Sequence, residues 1–164
     1  MLITLEISNF LLIKKISINF FNGFNAFTGE TGAGKSIIIN GLKLALGGKN
    51  NTNLNLNHGE ISNIKAIFDR DTNINQNLKD LGIQIEDDYL IVERQINHLQ
   101  KSKILLNGQI VSQSIVKKVL INTIEFQENY EQQELFDNKY FLNFIDKLGK
   151  IELTSISHSY KNLK

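Results

Sequence analysis

Eight residues near the start of the chain, Gly29-Glu30-Thr31-Gly32-Ala33-Gly34-Lys35-Ser36, fit the spacing G-x-x-x-x-G-K-S. The chemistry this spacing serves is electrostatic. Successive backbone N–H groups from about Gly32 to Ser36 would point inward at a β-phosphate. The glycines let the main chain come close to it, and the helix that follows adds its positive end. Lys35 would neutralise β/γ oxygens as a point charge, and Ser36 would place its hydroxyl on Mg²⁺. The expected ligands are therefore ATP and Mg²⁺. A chance match in a chain of this length is on the order of one in two hundred.

The motif needs a strand before it and a helix after it, and the sequence supplies both patterns. Residues 2–10 alternate, with Leu5 and Ile7 on one side and Thr4, Glu6 and Ser8 on the other. Ile16, Ile18 and Phe20 repeat that period. A Gly-containing turn at 21–25 then leads to a third short strand, 24–27, running into the glycine loop. After Ser36 the pattern turns helical and apolar nearly all round, and Gly47-Gly48 ends it. Gly41 inside that helix costs about 1 kcal/mol relative to Ala.

Downstream, 49–63 is polar and Asn-rich and reads as a loop. Residues 64–68 and 89–96 read as strands, with a short helix near 75–81. Residues 103–111 read as a hairpin turning at Asn107-Gly108, the dipeptide suited to a type I′ turn. A helix is expected over 112–120, a strand over 121–126 and a helix over 134–148.

Composition bounds the alternatives. The chain has 164 residues, 41% hydrophobic and 21% charged, with net charge +1, which suits one globular domain and supplies no whole-chain steering toward nucleic acid. There is no Cys, which excludes disulfides and thiolate metal sites. His58, His98 and His158 show no ligand spacing. No apolar run approaches the roughly 20 residues of a membrane span, and no signal-peptide pattern opens the chain. The expected address is the cytoplasm, with no membrane partner.

Hydrolysis needs more than the loop: a carboxylate ending an apolar strand to hold Mg²⁺ through water, and a group to place the attacking water. Asp69, Glu93 and Glu125 each end an apolar run. None has the paired acids after four apolar residues that the role requires, so no complete catalytic set is expected in this chain.

The stretch LEISNFLLIKKISINFFNGFNAFTGETGAGKSIIINGLKLALGGK resembles the opening of the RecN-type DNA-repair ATPases, members of the coiled-coil ABC-type ATPases that include the SMC proteins. LIVERQINHLQKSKILLNG is similar to the family's strand and hairpin, with Lys101 and Lys103 where arginines are usual. Lysine keeps the charge there but not the bidentate fork. TIEFQENYEQQELFD resembles the glutamine-loop region. A gapless alignment places Asn129 at the glutamine that would ligate Mg²⁺, and Gln127 lies two residues upstream.

The resemblance implies an α/β fold: the N-terminal lobe of an ABC-type P-loop ATPase head, a mixed sheet with its P-loop helix, incomplete relative to the family. It implies a head half over 1–150 and the start of a coiled-coil helix over 151–164. The signature motif, the Walker B acids and the switch histidine belong to a C-terminal half, supplied by another chain or a second head. The implied function is ATP binding in recombinational repair of DNA double-strand breaks, with DNA met through the complete protein and nucleoid association following from that role. The alternative is a truncated, degenerate remnant with no catalysis of its own. A compact P-loop kinase would need its Walker B acid and lid in the same chain, and neither is evident.

Overall fold

The computed structural model describes residues 1–30, 34–49, 54, 56–121 and 123–124. Nine elements follow in chain order: β1 (Leu2–Phe10), β2 (Ile13–Asn19), α1 (Lys35–Ala45), β3 (Ile61–Asp69), α2 (Thr72–Asp80), β4 (Tyr89–Asn97), β5 (Ser102–Leu106), β6 (Gln109–Val111) and α3 (Gln113–Val119). They build one six-stranded sheet of order β2-β1-β3-β4-β5-β6. Every pairing among the described residues is antiparallel. The parallel part expected of a mixed sheet is not among them.

The period-2 pattern decides which face is buried. Leu5, Ile7, Ile64, Ala66, Phe68, Leu90, Val92, Ile96, Ile104 and Leu106 fill the core. The alternate residues Glu6, Lys65, Glu93 and Leu105 stand in cross-strand register on the other face. Lys65 forms an ion pair with Glu6 at 3.8 Å there. Helix α1 packs against the buried face and contributes Gly41, Leu42, Leu44 and Ala45 to the core. A Cβ on Gly41 would stand 3.0 Å from Ile7 Cδ1 and 3.6 Å from a Phe10 ring carbon. This glycine is therefore more than a propensity cost, because it lets α1 approach β1 closely.

Local chemistry sets the ends of the elements. Asp71 caps α2, its side chain accepting from Ile74 N at 2.8 Å, and this starts the helix three residues before the expected Asn75. The β5–β6 turn has φ +43 at Asn107 and +82 at Gly108, the two positive values a type I′ turn requires. Asn107 also accepts from Ile91 N and donates to Tyr89 O.

One expected element is absent. Residues 24–27 have strand-like alternation but pair with nothing among the described residues. Phe21 is 76% and Phe24 95% exposed. The segment is held by short-range bonds instead: Asn25 Nδ2 donates to Phe21 O and Gly23 O, and Phe21 N donates to Asn25 Oδ1. Phe20 and Phe27 meet edge to face at 6.1 Å. Alternation makes a strand only where a neighbour offers a ladder. Of the strand expected over 121–126, Ile121, Thr123 and Ile124 are described and form no strand, Thr123 N donating to Leu120 O at 3.0 Å in a turn. The expected helices at 134–148 and 151–164 lie outside the described residues.

Candidate functional site

The site begins where α1 begins. Gly34 stands at the N-cap with φ +94, no side chain caps the helix and no acid lies in its first turn. Gly34 O accepts from Ile37 N at 3.0 Å and Ile38 N at 3.1 Å, so the amides of Lys35 and Ser36 lie outside the helix's own bonding. The other helices start differently: Asp71 and Ser112 cap α2 and α3 with side-chain oxygens. Among the three described helices, the one after the glycine loop keeps an uncapped positive end.

The Lys35 ammonium folds back over that end and donates to the carbonyls of Gly29 and Glu30, the latter at 2.7 Å. Both partners are neutral, so among the described residues no carboxylate is bonded to its charge. Ser36 is exposed. A bare helix start, a lysine held by carbonyls alone and an accessible hydroxyl fit a phosphate chain with a hard cation. Thr31, Gly32 and Ala33 lie outside the described residues, as do Glu125, Gln127 and Asn129.

Beside the start of α1 is an open cavity of about 670 Å³, walled by Asn9, Leu11 and Lys14 around the β1–β2 turn, Ile37 of α1, and Leu54 and Glu60. The turn itself is unusual. Leu11 takes φ +51, a left-handed value that is uncommon for a bulky residue, and Leu12 beside it is 83% exposed. The sequence pattern gave no sign of this cavity, because its walls come from three separate stretches of chain.

Two candidate acids are placed away from the loop. Glu93 lies between buried Val92 and Arg94 on β4, so its side chain belongs to the face opposite α1, where it accepts from Gln95 Nε2. Asp69 follows buried Phe68, is exposed, and stands in register with Tyr89. Neither offers a carboxylate on the face that carries α1. Lys103 likewise lies on the opposite face beside buried Ile104, and Lys101 is exposed in the β4–β5 turn. Neither lysine has a described bond to the glycine loop.

The far end of α1 is anchored by a residue that sequence reading passed over. Arg94, 5% exposed, donates from Nη1 to Leu44 O at 3.2 Å and Gly48 O at 3.0 Å, and from Nη2 to Ser102 Oγ at 3.0 Å. Burial lowers its pKa from the usual guanidinium value, while the negative end of the helix dipole offsets part of that cost. Its signal was legible: on β4 the buried positions 90, 92, 94 and 96 are apolar except for Arg94. An interrupted apolar alternation marks a buried charge with a partner.

The model of a family described as "AAA domain" matches residues 4–162. The curated DNA repair protein RecN of Halalkalibacterium halodurans is 30% identical over 99% of this chain and 29% of its own length. RecN of Synechocystis is 34% identical over 91% of this chain and 26% of its own. The chain thus spans less than a third of these relatives, matching their N-terminal part. A solved structure described as "Structural biochemistry of ATP-driven dimerization and DNA stimulated activation of SMC ATPases" superimposes with TM-score 0.61 at 21% identity, over 90% of this chain and 98% of that one. The Smc head domain of Pyrococcus yayanosii gives 0.59 at 20% identity, over 99% and 36%. At these identities the structures support the fold: a partial ABC-type ATPase lobe. Among the described residues no helix is long and apolar enough to cross a membrane.

Proposed function

This chain belongs to the AAA domain family, and from that premise we propose that it is the ATP-binding lobe of a RecN-like protein acting in recombinational repair of DNA double-strand breaks. The observation that carries the reading is the uncapped start of α1, with Lys35 bonded, among the described residues, to the carbonyls of Gly29 and Glu30. On binding, the Lys35 ammonium exchanges the Gly29 and Glu30 carbonyls for β/γ-phosphate oxygens. The amides of Lys35 and Ser36 would face the phosphates, and the Ser36 hydroxyl would hold Mg²⁺. The cavity beside Ile37 takes the sugar and base, with Leu11 and Leu12 as its apolar wall. Mg²⁺ supplies charge neutralisation between phosphates.

In this reading residues 1–150 would act as the first half of a head, and 151–164, outside the described residues, would be where the family's coiled coil begins. Asp69 and Glu93 lie off the α1 face, and 24–27 pairs with nothing among the described residues. A C-terminal half would add the signature and Walker B motifs and lend a neighbouring strand. DNA is engaged by the assembled protein in the cytoplasm, at the nucleoid. The exposed Phe21 and Phe24 also suit the second reading, a remnant without catalysis.

Equilibrium binding of a fluorescent ATP analogue with Mg²⁺ tests this. Saturable binding by the chain, lost in Lys35→Ala while the unfolding midpoint is kept, is expected. Absence of saturable binding, or binding indifferent to Lys35→Ala, overturns it in favour of the remnant.

A further inference from the structure

Two histidines forty positions apart in sequence are brought together at the end of the β3–β4 ladder. The rings of His58 and His98 lie with centroids 4.7 Å apart, tilted by 41°. Each sits on a closed turn. Around His58, Glu60 N donates to Asn57 O at 3.0 Å while Asn57 N donates to Glu60 Oε2 at 2.9 Å. Around His98, Asn97 Oδ1 accepts from Leu99 N and Lys101 N, both at 3.0 Å.

The two turns are fastened to each other. Ile61 and Asn97 are register partners. Gln100 is bonded both ways to buried Leu54: its Nε2 donates to Leu54 O at 2.8 Å, and its Oε1 accepts from Leu54 N at 3.2 Å. The ladder register and these bonds hold the two ring-bearing turns side by side.

We propose that His58 and His98 form a binding site for a borderline transition-metal ion of the Zn²⁺, Ni²⁺ and Cu²⁺ class. Imidazole nitrogen suits these ions and does not suit Mg²⁺ or Ca²⁺. Ring centres 4.7 Å apart let one nitrogen of each ring reach a shared ion at about 2.0–2.1 Å. No third His, Cys, Asp or Glu completes a cluster among the described residues. Water therefore fills the remaining positions, and the ion exchanges readily rather than holding the fold together as a closed structural site does. The bound ion staples the segment around Leu54 and Glu60 to the β4–β5 turn. Since that segment walls the cavity beside α1, its effect is local stiffening there.

The test uses the tag-free, metal-stripped chain of 164 residues. ZnCl₂ is expected to raise Tm saturably, as any ligand selective for the folded state does, and MgCl₂ at equal concentration is not. His58→Ala and His98→Ala each abolish the shift, while His158→Ala preserves it. With Cu²⁺, electron paramagnetic resonance should count two coupled nitrogens in the native chain and one in each variant. His58 is exposed on a turn closed by other residues, so His58→Ala and the nitrogen count decide the matter even if His98→Ala fails to fold. No saturable Zn²⁺ effect, or an effect that survives His58→Ala, overturns the proposal.

Discussion

At its C-terminal end α1 is held from several directions. Gly48 N donates to Lys43 O and Gly47 N to Leu44 O in a Schellman arrangement. Arg94 donates to Leu44 O and Gly48 O and the Gln113 amide to Gly47 O, and Leu42, Leu44 and Ala45 are buried beside them. At its N-terminal end the same helix has no cap, no acid, a lysine resting on its own loop and an exposed aromatic segment leading in. One element is thus fixed at one end and left unsatisfied at the other. Polar groups at a helix start that could be capped for about 1 kcal/mol are kept available, and the stability of the helix is supplied elsewhere.

The sharpest way to break that contrast is to loosen the fixed end. Arg94→Met removes the donor of the Gly48 carbonyl and of Ser102 Oγ, and leaves Leu44 O with the Gly47 N–H. Bonds to a charged group contribute about 1.5–3 kcal/mol each, and the substitution restores some apolar burial. A net loss of about 3 kcal/mol is expected, read as a lower urea midpoint at unchanged m-value. An unchanged midpoint would mean that α1 does not depend on the clamp.

A matched pair of glycines sharpens the comparison at smaller scale. Gly34 has φ +94 and Gly47 φ +87, one at each end of α1. An added Cβ at Gly34 meets nothing within 4 Å, whereas at Gly47 it meets Gln113 O at 3.1 Å and Lys117 Cγ at 3.1 Å. Both Ala variants incur left-handed strain of about 1–2 kcal/mol, and only Gly47→Ala adds a clash with backbone. Gly47→Ala should therefore destabilise more than Gly34→Ala in parallel denaturation. The reverse order would refute the account of a fixed and an open end.

The smallest effect concerns pH. The Asn57 backbone N–H, then its side chain, lowers the pKa of the Glu60 carboxyl. A carboxylate lowered on folding contributes stability above its unfolded pKa, and loses it as pH falls through the lowered folded value. Glu60→Gln should flatten that acid-side loss slightly in thermal melts between about pH 3 and 6. A steeper acid-side loss in the variant would contradict the sign.

Much of the sheet was legible because alternation and an Asn-Gly turn are local signals, whereas the Asp71 cap that starts α2 went unread and the helix was expected three residues late. The glycine-loop motif is a local signal too, its spacing lying within eight residues, of which the structure describes 29–30 and 34–36. What escaped reading depends on distant neighbours. Residues 24–27 carry a strand's pattern without a ladder to join, Gly41 is explained by Ile7 and Phe10, and the second strand begins at Ile13 because Phe10 pairs with it across a tight turn. His58 and His98 had no ligand spacing because the ladder, and not the sequence, brings them together.

The order β2-β1-β3 has a further consequence for how the chain tolerates change. The described residues proposed to meet phosphate, Lys35 and Ser36, lie in the connection between Asn19 and Ile61, roughly 40 residues closed by the pairing of β1 with β3. Closure entropy grows only with the logarithm of length, so ten added residues would cost about 0.2 kcal/mol. A single residue inserted within β1 would instead turn every following side chain to the wrong face. The sheet thus polices its own register strictly, while the loops on either side of α1 can change length at little entropic cost and α1 itself stays tied to the core by Leu42, Leu44 and Ala45.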